Sequence, residues 1–408
     1  MHELIGWSDN LAFLPYNDEW QKQRKLFQQQ LSRKGVFVFQ NIQLRAATTL
    51  LNNLLRDPDM FDDHCRRYAT SVIMEIAYGH EIVSDDDPYL QIAKEVNNVV
   101  TGAGDPGATP PDLFPILKKL PPWFPGAWFI RYGQEARKVV HKVKEWPFRE
   151  VIANMAAGTA NESFLSLTLE ELACAGNQDP EMVEMAKVAA AHFYAAGGDT
   201  TYSTILIFIF AVLLNPDAQK KAQKEIDEVI GNTRLPDFSD RDSLPMVECV
   251  INEAVRWHQA GPLAIPHRTM EEDTYRGYRI PKGAVVIGNV RGITLDESVY
   301  ADPHCFYPER YLPRPAGNGE PHPASMYGFG RRVCPGRHLA DNSVWIVGAT
   351  ILASFDIIFA KDENGCDIVP PEEFTSGLTS HPKPFRCNIL PRSTVVKNIA
   401  HHDMFHVR

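Results

Sequence analysis

The residues best placed to do chemistry lie in one stretch: Tyr327-Gly328-Phe329-Gly330-Arg331-Arg332-Val333-Cys334-Pro335-Gly336-Arg337-His338-Leu339-Ala340. A cysteine follows a glycine-rich turn and directly precedes a run with helical periodicity. The turn lets backbone N–H groups approach the sulfur, and a helix N-terminus supplies positive potential. Both lower a thiol pKa and favour thiolate, the form that binds metal. Two plainer readings stand beside this one. Cys334 could be one of several buried cysteines, or it could share zinc with His338 one helical turn away. For the zinc reading, no further ligand pair at zinc spacing occurs.

Three other groupings need helices to bring their side chains together. Glu253 and Arg256 are three residues apart, and Trp20 and Arg24 are four apart, so each pair shares one helix face. Taken alone, the first pair would be a solvated helix face and the second a surface pair. The run Ala196-Gly197-Gly198-Asp199-Thr200-Thr201 comes just before the longest apolar run, residues 205–214, which places it deep in the protein.

The elements follow from punctuation. Helix-spaced apolar positions fill residues 18–56 and 61–100, divided by Asp57-Pro58-Asp59. Breaker-rich stretches at 101–115 and 121–126 read as loops over a helical body. Asp179-Pro180-Glu181 opens an unusually long helix, interrupted at Gly197-Gly198 and continuing to Leu214. Asn215-Pro216 caps the next helix, which closes at Gly231. Another helix spans about 246–257, and one starts near Pro335 and runs to about Phe355. Tyr278-Arg279-Ile280 and residues 284–287 flank Pro281-Lys282-Gly283, a hairpin signal. Gly102-Ala103-Gly104-Asp105-Pro106-Gly107 spells a dinucleotide fingerprint, but no strand precedes it and Pro106 sits inside a proline-rich loop, so it is set aside.

In this order the motifs resemble the cytochrome P-450 family of haem-thiolate monooxygenases. The family's Phe-x-x-Gly-x-Arg-x-Cys-x-Gly is matched at Gly330, Arg332, Cys334 and Gly336, with Tyr327 in place of phenylalanine. That tyrosine adds a hydroxyl which needs a partner if buried. Glu253-Ala254-Val255-Arg256 resembles the family's Glu-x-x-Arg, and Phe306-Tyr307-Pro308-Glu309-Arg310-Tyr311 resembles its Phe-x-Pro-Glu-Arg-Phe. By that resemblance, Glu253, Arg256 and Arg310 form a structural ion triad. The resemblance further implies haem b, its iron bound by the Cys334 thiolate, which pushes electron density onto the metal. It assigns Trp20, Arg24, His267 and Arg332 to the haem propionates. Asp199 becomes the proton relay and Thr200 the hydroxyl that bonds dioxygen, with the two glycines letting the helix open over the iron. The family often has tryptophan where Arg291 stands.

The implied fold is mainly α with a smaller β portion (α+β), the triangular P-450 fold with a long central helix, as a single domain over residues 1–408. The implied reaction is hydroxylation of an apolar organic substrate with O2. Electrons are expected from NADPH through a P-450 reductase, docked near Lys22, Lys25, Arg331 and Arg337. Several segments resemble fungal members of secondary metabolism. Pocket candidates are Phe193, the turn at residues 263–265 and Ser376-Gly377-Leu378, all of which could equally be plain core. The microsomal relatives' membrane anchor and first strands are not found, so a truncated chain is expected. That chain would be less stable than an extended one, or a non-catalytic remnant that binds haem poorly. For a full-length form the expected place is the cytosolic face of the endoplasmic reticulum. A peroxide isomerase or dehydratase is the other alternative, disfavoured by the intact Asp199-Thr200 pair.

Composition agrees with these expectations. The chain has 408 residues, 44% of them hydrophobic, enough for a large core. A net charge of −10 excludes a general nucleic-acid binder, which needs a basic footprint. The seven cysteines are odd in number and scattered, without a CxxC, which suits a reducing compartment rather than a disulfide framework.

Overall fold

The computed structural model describes residues 1–102, 109–176, 179–231 and 233–392. Helices dominate its first part: α1 (His2–Ile5), α2 (Asp18–Gln30), α3 (Gln40–Arg56), α4 (Phe61–Tyr78) and α5 (Pro88–Gly102). Their ends are written in polar residues. The Asn17 side chain accepts the Trp20 N–H at 2.9 Å and so caps α2. The short α6 (Pro110–Leu113) lies in the proline-rich region, before α7 (Trp128–Ala157) and α8 (Phe164–Cys174). Residues 103–107 of the dinucleotide-like sequence lie outside the described residues.

The longest helix is α9 (Pro180–Leu214), 35 residues and about 52 Å at 1.5 Å per residue. Asp179 caps it by accepting the Glu181 N–H at 3.0 Å, with Pro180 at the first helical position. The interruption expected at Gly197-Gly198 does not occur, and the helix runs through both glycines unbroken. Helical hydrogen bonds on either side hold the pair, and its helix-breaking tendency is only about 1 kcal/mol per glycine. By length and composition α9 could cross a membrane, yet its residues from Thr201 to Leu213 are buried against α4, α8, α11 and α13.

The chain continues through α10 (Pro216–Val229), α11 (Pro245–Trp257), α12 (Val290–Thr294) and α13 (Arg337–Ser354). Among the described residues the strands are short: β1 (His267–Arg268), β2 (Asp273–Tyr275), β3 (Tyr278–Ile280), β4 (Val285–Val286), β5 (Phe355–Lys361), β6 (Asp367–Ile368) and β7 (Cys387–Pro391). All pairings are antiparallel: β1 with β4, β2 with β3, and β6-β5-β7. The architecture is therefore mainly helical with small sheets.

The expected hairpin around residues 281–283 is wrong in its pairing. Strand β3 turns back on β2 instead, through Arg276-Gly277, both at positive φ (50° and 83°). That turn fits the right-handed twist of two short strands. Residues 281–283 turn β4 onto β1, with the Gly283 N–H donating to the Thr269 carbonyl at 2.9 Å.

Two buried polar arrangements lock the helices. Gln43 on α3 donates to the Leu339 carbonyl at 2.9 Å and the Ser343 hydroxyl at 2.7 Å, fixing α3 to α13. The second is built around Glu253, which is fully buried with Arg256 and Arg310. Arg256 donates to both Glu253 oxygens at 2.8 Å, and Arg310 Nε reaches them at 3.1 and 3.0 Å. The Tyr307 N–H and Tyr311 hydroxyl also donate to Glu253, at 2.8 and 3.0 Å. Glu320 adds a second carboxylate, 2.6 Å from Arg310 Nη1. Two arginines thus face two carboxylates, and the spare N–H groups end on the Thr294, Ala301 and Cys305 carbonyls. Arg291 has a local account too: its guanidinium donates to the Trp257 carbonyl at the C-terminal end of α11, where a cation opposes the helix dipole.

Removing one partner from a dry ion network leaves an uncompensated charge, which costs about 3–5 kcal/mol. Glu253→Gln should lower the unfolding free energy measured by urea titration by that much or prevent folding. A variant as stable as the parent would show that Glu253 is not the hub of this network.

Candidate functional site

Cys334 lies in the turn that feeds α13. Gly328 (φ 78°, ψ −164°) occupies a region open only to glycine and reverses the chain. The Cys334 N–H then donates to the Tyr327 carbonyl at 2.8 Å, and Arg337 Nη1 to the Cys334 carbonyl at 3.3 Å. Helix α13 begins at Arg337 rather than Pro335, so Cys334 stands just outside its first turn.

Several donors address the sulfur. The Gly336 N–H points at it, and the charges of Arg24 and Arg337 act on it; all three pull its pKa down. Burial nevertheless outweighs them and pushes the thiol up. The sequence-based expectation of a lowered pKa counted the donors but not the lost water, and desolvation of an anion is the larger effect here. Tyr327 faces the same balance: burial pushes its phenol well up, and Asp341 and Cys334 add to that.

The other predicted site residues gather in two places. Trp20 and Arg24 share the inner face of α2, both buried. Arg332 stacks its guanidinium over the Trp20 ring at 4.5 Å and donates to the Leu14 carbonyl at 2.9 Å. Burial pushes Arg24, Arg332 and His267 down, and cation repulsion adds to it: Arg337 acts on Arg24, Arg24 on Arg332, and Arg332 on His267. No ion pair satisfies Arg24, Arg332 or His267 among the described residues. Arg24 Nε and Trp20 Nε1 are buried without a hydrogen-bond partner. Crowded cations and orphaned donors make a set built for anions, and they fit the two carboxylates of a haem whose iron would face Cys334.

Asp199 and Thr200 sit mid-way along α9. The Thr200 hydroxyl is exposed and donates back to the Ala196 carbonyl at 2.9 Å. One Asp199 oxygen, Oδ2, accepts from the Thr379 hydroxyl at 2.6 Å, while Oδ1 is buried without a partner. Gly197 packs close to Ile73 of α4, where an added Cβ would meet Ile73 Cδ1 at 2.5 Å, whereas Gly198 has nothing within 4 Å. Among the pocket candidates, Phe193 is core, its ring packed edge-on to Phe27 and Phe164. Leu263 and Ile265 are exposed, about Ala264 at φ 53°.

Sequence reasoning missed Thr379, Glu320 and Tyr311. Tyr311 stood at the end of the Phe306–Tyr311 motif but its hydroxyl bond to Glu253 was not foreseen. Glu320, ten residues from Arg310, and Thr379, 180 residues from Asp199, carry no local pattern.

The Cytochrome P450 family profile matches residues 4–389. Cytochrome P450 monooxygenase 136 of Postia placenta is 39% identical over 410 residues, covering 99% of this chain and 77% of its own length. Tryptamine 4-monooxygenase of Psilocybe cyanescens is 35% identical over 408 residues, 98% of this chain and 80% of its own length. A zebra fish cytochrome P450 solved with progesterone superposes with a TM-score of 0.77 at 23% identity, covering 96% of this chain and 86% of its own. That last likeness concerns the fold.

If Arg24 and Arg332 hold the haem carboxylates, losing either forfeits a charge-assisted bond of about 1.5–3 kcal/mol. Arg24→Gln and Arg332→Gln should each speed haem transfer to apomyoglobin by roughly ten- to a hundredfold. Unchanged transfer rates would rule out this assignment.

Proposed function

Since the chain belongs to the cytochrome P450 family and is a haem-dependent monooxygenase, we propose that it hydroxylates a small apolar secondary metabolite, drawing electrons from NADPH through a flavoprotein reductase. Bound haem supplies the iron centre at which dioxygen is activated. Within the protein, Cys334 would hold that iron through its sulfur, with the Gly336 N–H and the Arg24 and Arg337 charges stabilising the anion. Arg24, Arg332, His267 and Trp20 would hold the carboxylates. On α9, Asp199 would take protons from water and pass them toward the Thr200 hydroxyl. The exposed apolar turn at Leu263 and Ile265 supports an apolar substrate. One similar protein is named for a small organic substrate, tryptamine, which supports a small-molecule substrate here.

The observation that carries this reading is the pairing of a donor-directed sulfur at a helix mouth with a nearby cation set that lacks carboxylate partners. Reduced protein under carbon monoxide should show the red-shifted Soret band of thiolate ligation, and with a reductase it should consume NADPH and O2. Cys334→Ala should lose both. A parent protein that takes up haem without the red shift would sink the ligand assignment.

We also propose a membrane-facing location, on the cytosolic side of the endoplasmic reticulum. Leu113, Phe114, Ile116, Trp123, Phe124 and Trp128 are all exposed, close together in sequence around α6 and the start of α7. The exposed Lys119 and Arg131 flank them. Apolar and aromatic side chains beside cations suit the boundary between headgroups and acyl chains. The protein should float with phosphatidylserine-containing vesicles, and Trp123→Ser with Trp128→Ser should reduce that binding. Equal flotation of parent and double variant would remove the support.

A further inference from the structure

The acid on α9 has one side-chain partner among the described residues, and it comes from the far end of the chain. The Thr379 hydroxyl donates to Asp199 Oδ2 at 2.6 Å, leaving Oδ1 buried and unbonded. Thr379 belongs to a turn, residues 375–381, that is closed at its base by several bonds. The Thr375 N–H donates to the His381 carbonyl at 2.9 Å, and the His381 N–H to the Thr375 hydroxyl at 3.1 Å. Ser380 is buried; its hydroxyl donates to the Thr375 carbonyl at 2.8 Å and its N–H to the Ala260 carbonyl at 2.8 Å.

This base is fastened on two sides. His258, just past α11, lies 3.0 Å from the Ser380 hydroxyl and stacks on Phe374. Tyr202 of α9 meets the His381 ring edge-on at 5.5 Å, and its own hydroxyl is held by Asp62. The tip, Ser376-Gly377-Leu378, is only half-buried or exposed and turns through Gly377 at φ 135°. A fixed base with an accessible tip delivers one hydroxyl to one oxygen of one carboxylate.

We propose that Thr379 is a positioning residue for Asp199. Its bond occupies Oδ2 and sets the carboxylate plane, so that Oδ1, closed to bulk solvent, is the oxygen that accepts a proton from a water entering the site and releases it on the Thr200 side. The carboxylate returns to its starting charge, and nothing else is consumed. Because Thr379 adjoins the accessible tip, a molecule that leans on residues 376–378 also shifts the hydrogen bond to the acid. The turn thereby links occupancy beside the site to proton delivery. This inference rests on the reading of Asp199 as the relay.

The test compares holoenzyme carrying Thr379→Val, Thr379→Ser and Asp199→Asn. The first readout is infrared difference spectroscopy on protein with 13C-labelled aspartate carboxyls, the Asp199 band being the one that Asp199→Asn deletes. That band should shift in Thr379→Val and return in Thr379→Ser. The second is hydrogen peroxide released per NADPH oxidised, with a reductase and no added substrate. Loss of one hydrogen bond to a charged carboxylate should move this ratio by about twofold or more toward the Asp199→Asn value, with Thr379→Ser close to the parent. An unmoved band in a folded Thr379→Val protein overturns the proposal. So does an unmoved ratio in that variant when Asp199→Asn changes it. If Asp199→Asn itself leaves the ratio unchanged, the relay reading fails, and with it the part assigned to Thr379 in proton delivery.

Discussion

Burial of the Cys334 sulfur sets the terms for its surroundings, because an anion there would form away from water. Burial works against the anion, and only nearby donors can offset it. The chain meets that demand with a backbone N–H one residue past the adjoining proline, Arg337 at the start of α13, and Arg24 reaching in from α2. Each donor is held by a different element, so the sulfur's environment depends on how those elements pack. Gln43 fastens α3 to α13, and Arg332 hooks the cysteine turn to the carbonyls near residue 14. If either link slackened, an anion on the sulfur would lose part of its donor set.

The dry network around Glu253 meets a related demand elsewhere. It joins α11 to the irregular chain between α12 and the cysteine turn, which has little regular structure of its own. Irregular backbone can be buried only if its carbonyls find donors. Arg256 and Arg310 provide them, ending on Thr294, Ala301 and Cys305. Such a network adds little net stability over an apolar core, but it admits one arrangement and penalises others. It therefore holds the irregular chain around residues 301–320 against α11.

Much of this was legible in the residue order, because much of it is local. Caps and prolines marked the starts of α9 and α10, and apolar spacing placed α11 to within a residue and put Trp20 with Arg24 on one face. The breaks at residues 31–39 and 79–87 inside the first two helical spans were not read. The other failures were of two kinds. The glycine pair in α9 read as a break because propensity was weighed without the packing that overrides it. The hairpin was misplaced because two turn signals compete within ten residues, and the positive-φ pair Arg276-Gly277 wins the tighter turn. What stayed hidden depended on the path of the chain: Glu320 meets Arg310 ten residues back across irregular chain, and Thr379 meets Asp199 from 180 residues away, and no spacing rule encodes either. The pKa of Cys334 was misjudged for a similar reason, since its burial is a property of the assembled protein.

The two adjacent glycines of α9 answer to different neighbours. At Gly197 a methyl group would collide with α4, so packing alone accounts for the absent side chain. At Gly198 a methyl would touch nothing, and alanine there would firm up the helix by about 1 kcal/mol. The helix therefore forgoes rigidity at the one residue where no steric reason demands it, directly before the acid. A programme of thermal hardening that ranked substitutions by folding energy would choose this position early. It would add bulk and stiffness directly beside Asp199, the residue we propose as the relay.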